Sequence, residues 1–188
     1  MTRAVNAGYT WVSYQWNDGT HGQQQQDLAP ATRQACEGKL LWTVWLTRPF
    51  DAAYCRQVAI ESGCAAIALE AEIPAHRPEA PNWAEVDFML KDLPIRKAIL
   101  ATVSPFQHVD GTPWPEKAKP LVDGGWTFIS QCFLSESPNS HPDNLNFYAT
   151  RHLGFPSTQA LVEADNLAAY GDLSRYPNLL HWDAGDVL

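Results

Sequence analysis

Acidic side chains recur at the C-terminal ends of β-rich runs in this sequence. Glu70 and Glu72 end the run 65–73, Glu163 and Asp165 close 158–165, Asp183 ends 178–183, and Glu136 follows 126–135. Two carboxylates across a cleft, one protonated and one ionised, are what glycoside hydrolysis needs. Glu70 and Glu72 are not such a pair by themselves, because they point the same way from one strand, about 7 Å apart at Cα. Glu72 with Glu163 is the workable pair, with Glu70, Glu136 and Asp183 in support. Crowding would raise one of these pKa values, as an acid catalyst requires. Gln15, Asn17, Trp45 and His181 are candidates for substrate binding, and the loop aromatics Trp16, Trp114 and Phe106 for stacking on sugar rings. The competing reading is plainer. Strands must emerge into water, and Asp165 before Asn166-Leu167 has the place of a helix cap.

Other chemistries find less support. His76, His108, His141 and His181 lack the HExxH and His-x-His spacings of metal sites. The sequence has no GxSxG elbow, no GxGxxG and no Walker motif, so neither a serine nucleophile nor a nucleotide cofactor is expected. Cys36, Cys55, Cys64 and Cys132 form no CxxC and read as buried free thiols. The expectation is no cofactor and no metal.

The elements that must position the acids follow one pattern: a β-rich run, a polar loop, then a helical stretch. The β-runs are 9–16, 40–47, 65–73, 97–104, 126–135, 158–165 and 178–183. Asp51 is set to cap a helix ending at Gly63. Asn82 with Glu85 resembles a capping box, ahead of a helix with Val86, Met89, Leu90 and Leu93 on one face. Asp143 is placed to cap another helix, which Gly154 ends. The stretch 116–122 is a poor helix because Pro120 interrupts it. Alternation of this kind argues for parallel strands.

Parity favours a barrel. In 65–73, Ile67, Leu69 and Ile73 share one face, while Ala66, Ala68, Glu70 and Glu72 share the other. The bulky face suits outer helices and the small, acidic face points inward. Thr43, Trp45 and Thr47 oppose Trp42, Val44 and Leu46, and His181 and Asp183 oppose Leu180 and Trp182. The run 126–135 does not divide cleanly. The expected fold is α/β: one domain, 1–188, of repeated βα units forming a compact or incomplete TIM-type parallel barrel, with an open doubly wound sheet as the other arrangement. Ligands in such folds bind at the carboxyl ends of the strands.

Composition restricts the partners. The chain has 188 residues, 45% hydrophobic and only 18% charged, with a net charge of −8 and no basic run. Nucleic-acid binding is therefore not expected. The low charge hints at surface covered by partner subunits. No apolar run is long enough for a membrane span, and the N-terminus lacks the apolar core of a signal peptide.

The runs Trp11-Val-Ser-Tyr-Gln-Trp-Asn17, Ala68-Leu-Glu-Ala-Glu-Ile73 and Ala160-Leu-Val-Glu-Ala-Asp165 resemble the glycosidase-like TIM-barrel domains of minor tail proteins of bacteriophages infecting actinobacteria. The resemblance extends over most of the chain. It implies a virion component of the tail, shaped like a sugar hydrolase and often without demonstrable activity, in contact with other tail subunits and with host-surface glycans. It assigns no catalytic residue, since no acid/base motif of the family aligns here, and the chain is shorter than the roughly 250 residues of a full barrel. The two expectations are a structural and binding module of a phage tail and, alternatively, an active glycoside hydrolase.

Overall fold

The computed structural model describes residues 11–16, 34, 41–46, 51–71, 73–135, 137, 139–176 and 180–182; for 11–16, 41, 42, 45, 164, 165 and 180–182 it describes the backbone alone. Seven strands form one sheet: β1 (Trp11–Trp16), β2 (Leu41–Leu46), β3 (Ala66–Ala71), β4 (Arg96–Ala101), β5 (Thr127–Cys132), β6 (Ser157–Glu163) and β7 (Leu180–Trp182). Every neighbouring pair is parallel, and the spatial order is the sequence order. A doubly wound sheet needs a reversal of strand order. This one has none. Among the described residues, no pair joins β7 back to β1.

The helices are α1 (Ala52–Ser62), α2 (Trp83–Leu90), α3 (Pro115–Asp123) and α4 (Pro142–Phe147), the last continuing as a π-helical turn over Tyr148–Leu153. They cover one face of the sheet. Val44, Leu46, Ile67, Leu69, Ile99 and Phe128 join the apolar residues of α1, α2 and α3 in the main core. Farther along, Cys132, Ala160 and Val162 pack with Leu145 of α4 and with Tyr170. The opposite face carries a smaller cluster, Ala68, Leu100, Ile129 and Leu161, one residue from each of β3 to β6. All four are buried.

The parity expected for β2 and β3 matches this division: Val44, Leu46, Ile67 and Leu69 face the helices, and Ala68 faces inward. β5 resists parity because each face carries a polar residue. Ser130 lies on the helix side, where its hydroxyl donates to Asn146 Oδ1 at 2.8 Å, and Gln131 lies on the inner side.

Two local expectations need correction. Pro120 does not interrupt α3, which runs unbroken from Pro115 to Asp123. Pro115 starts it at a position needing no amide donor, and Ala118 and Leu121, both fully buried, offset the missing bond at Pro120. The cap of α4 is His141, not Asp143. Its Nδ1 accepts from the Asp143 amide at 3.3 Å, leaving Pro142 as the first helical residue. The other two caps are as expected: Asp51 Oδ1 accepts from the Tyr54 amide at 2.7 Å, and Asn82 Oδ1 from the Glu85 amide at 3.5 Å.

At the N-terminal ends of the strands, Asp87 of α2 closes the structure. Its Oδ1 accepts from Lys97 Nζ of β4 at 2.6 Å and from Trp126 Nε1, just before β5, at 2.7 Å. The Lys97 ammonium lies 5.4 Å from the centre of the Trp126 ring. Gly124 sits against the same carboxylate, and a Cβ there would meet Asp87 Oδ1 at 2.2 Å. Gly124 has an ordinary helical φ of −75°. Its lack of a side chain serves close approach, not backbone freedom.

Candidate functional site at the carboxyl ends of the strands

Two of the expected acids have described side chains, and they have different surroundings. Glu70 lies on the inner face of β3, 8% exposed, and accepts from Gln131 Nε2 of β5 at 3.0 Å. Gln131 is equally buried, so this is an internal polar contact spanning β4, next to Leu100 and Ile129. A buried carboxylate is tolerated where a donor meets it, and Gln131 is one.

Glu163 ends β6 at the rim. Its carboxylate accepts from the Ser135 amide at 3.1 Å, from the Ser135 hydroxyl, and from the Tyr170 hydroxyl at 2.9 Å. The 3₁₀ segment Ala164–Tyr170 bends back to deliver that tyrosine. Tyr170 is 1% exposed, and its oxygen also accepts from the amides of Glu163 at 3.2 Å and Leu134 at 3.4 Å. Its one proton is shared between the Glu163 carboxylate and the Cys132 carbonyl. The hydroxyl therefore ties the end of β5 to the end of β6.

These contacts decide the protonation of Glu163. Burial pushes its carboxyl up, but the Ser135 hydroxyl and amide, the Tyr170 hydroxyl and the Asn166 side chain outweigh that and hold it below the usual glutamate value. Hydrogen bonds to the charged form do this. Burial, with the adjacent carboxylate adding to it, pushes the Tyr170 phenol up. Glu163 is thus held toward its ionised form, with its oxygens taken up by these donors.

A carboxylate held low stabilises the fold fully above pH about 4.5, the ordinary glutamate value, and loses that contribution as pH falls from there through its own pKa. Glu163→Gln is therefore expected to lower the melting temperature at pH 7, with the gap to wild type closing on acidification below that point. Melting curves from pH 7 to 3 check this, and a gap that stays constant would contradict it.

Glu70 and Glu163 do not make a catalytic pair. The register runs from Glu70 through Leu100 and Ile129 to Gln159, and Glu163 lies four residues beyond Gln159. That is about 13 Å along the strand direction, besides three strand spacings sideways. Glycosidase carboxyl groups lie about 5 to 9.5 Å apart. Glu72, Glu136, Asp183 and Asn17 lie outside the described residues. For Gln15, Trp45 and His181 the backbone is placed: Gln15 pairs with Trp45, Trp45 with Ala68, and His181 with Val162.

The remaining rim is organised by the loop after β4. Phe106, expected to stack on sugar, is fully buried against Trp83, Phe128 and Phe155, with ring centres 6.1 to 6.2 Å away. It anchors the loop instead. Beyond it the chain makes a small hairpin, bridged at Gln107 and Pro113 and turned at Gly111 (φ 83°), with Asp110 Oδ1 accepting from the Thr112 amide and hydroxyl at 3.0 and 2.7 Å. On it His108 stacks on Trp114, ring centres 4.3 Å apart and planes 17° from parallel. Sequence reasoning singled out Trp114 but missed its pairing with His108, which the hairpin turn creates.

Among the described residues, no three His, Cys, Asp or Glu side chains converge into a metal-holding group, and no helix is long and apolar enough to cross a membrane. Burial pushes the thiols of Cys55, Cys64 and Cys132 up, that of Cys55 to about 12, which leaves them unreactive. No known family's sequence pattern matches the chain, and no curated protein matches it.

Proposed function

We propose that this chain is a TIM-barrel-like binding and structural module, of the kind carried by phage tail proteins, whose strand-end rim contacts partner subunits or host-surface glycans. One observation carries the reading: both carboxylate oxygens of Glu163, the member of the expected carboxylate pair that can be followed atom by atom, are engaged in joining β5 to β6. A hydrolase of this architecture would keep such a group free to meet a glycosidic oxygen or a water. The sequential strand order, the helices on one face and the buried inner cluster support a rolled, barrel-like sheet. The phage-tail assignment rests on the sequence resemblance.

The test is co-sedimentation with insoluble actinobacterial cell walls, together with a reducing-sugar assay on the same material. Retention on the walls with no sugar released is the expected result. Release of sugar that disappears in Glu72→Gln or Glu163→Gln would instead establish the hydrolase reading. Neither retention nor release would remove the glycan from the proposal.

A further inference from the structure

The hairpin after β4 is built to present an aromatic platform. Thirteen residues, 102–114, connect β4 to α3, where βα connections usually take about 2 to 6. The extra chain is not slack. Phe106 pins its base in the core, the Tyr148 hydroxyl donates to the Phe106 carbonyl at 3.2 Å, and the Trp114 amide donates to the same carbonyl at 2.8 Å. The His108 amide donates to the Thr112 carbonyl at 2.9 Å, closing the turn. Asp110 is used up within it: the Thr112 hydroxyl and amide hold its carboxyl below the usual range. The turn exposes Asp110 and Thr112 together with Val109 and the His108 ring. Val109 is 80% exposed, and the exposed His108 ring lies flat on Trp114. The ring nitrogens of His108 make no hydrogen bond among the described residues.

We infer that the stacked His108–Trp114 pair is a sugar-binding subsite, which takes the C–H face of a pyranose against the ring stack and a sugar hydroxyl at the edge of the imidazole. The inference rests on the glycan-binding reading above and assigns it a place. A ring pair already stacked, on a loop already ordered, loses little conformational freedom when a ligand arrives. A pyranose ring offers both the flat apolar face and the equatorial hydroxyls that this arrangement complements.

Isothermal titration with three soluble neutral polysaccharides, a β-glucan, an arabinogalactan and a dextran, tests it on the full chain. Wild type is expected to bind at least one of them. Trp114→Ala should weaken that binding tenfold or more and His108→Ala at least threefold, while Phe88→Ser, on the helix layer, leaves it unchanged. His108→Ala removes an exposed ring, so it reports on the subsite even if Trp114→Ala misfolds. Wild-type binding that both hairpin variants retain would overturn the subsite and leave the glycan reading standing. No binding by wild type would overturn both.

Discussion

Asp87→Ala is expected to cost about 3–5 kcal/mol of stability, the loss typical when one partner of a buried ion pair is removed. The carboxylate is 20% exposed and its Lys97 partner 12%, so water does not replace what is lost. Two donors would be stranded, the ammonium of Lys97 and the indole N–H of the fully buried Trp126. For a chain of this length, each kcal/mol moves the melting temperature by about 2–4 °C, so a drop of roughly 6–20 °C is predicted. Asp87→Asn, which keeps an acceptor but loses the charge, should fall between. A melting temperature for Asp87→Ala within about 2 °C of wild type would mean that these contacts do not close the lower end of the sheet.

The second large effect belongs to Tyr170→Phe. The change removes one oxygen and keeps the ring, so apolar packing is untouched. It leaves the amides of Glu163 and Leu134 and the carbonyl of Cys132 to find other partners in a place where Tyr170 itself is 1% exposed. Unsatisfied buried groups cost about 1–3 kcal/mol each, and partial access to water near the rim should hold the total to about 2–3 kcal/mol. Chemical denaturation of wild type and variant measures it. A loss below about 0.5 kcal/mol would show that the hydroxyl is dispensable to the β5–β6 junction.

Much of this architecture could be read from the chain. Each of the seven β-runs overlaps a strand of the sheet, because apolar content and alternation are local properties. Parity worked in β3, where Ala66, Ala68 and Glu70 oppose Ile67 and Leu69, and failed in β5, where Ser130 found a partner in α4. The proline in α3 misled because propensity does not see the burial of Ala118 and Leu121.

The site was less legible for the same kind of reason. That acids gather at strand ends was visible. That Ser135 and Tyr170 claim Glu163, or that Gln131 reaches Glu70 across β4, depends on contacts 7 to 61 residues apart in sequence. The contact of Gly124 with Asp87 is of this class too. A glycine pair before a strand reads as a turn, and only the fold reveals the carboxylate against it.

The claim on which the functional reading turns is that Glu163 is a structural acceptor whose carboxyl is held below the usual glutamate range. Carbon-detected NMR titration of its side-chain carboxyl, assigned through Glu163→Gln, measures this directly. The structure predicts a midpoint below the ordinary glutamate value of about 4.5, rising when Tyr170→Phe removes one donor. A midpoint well above that value, with the carboxyl still protonated near neutrality, would mark Glu163 as a general acid and reinstate the hydrolase.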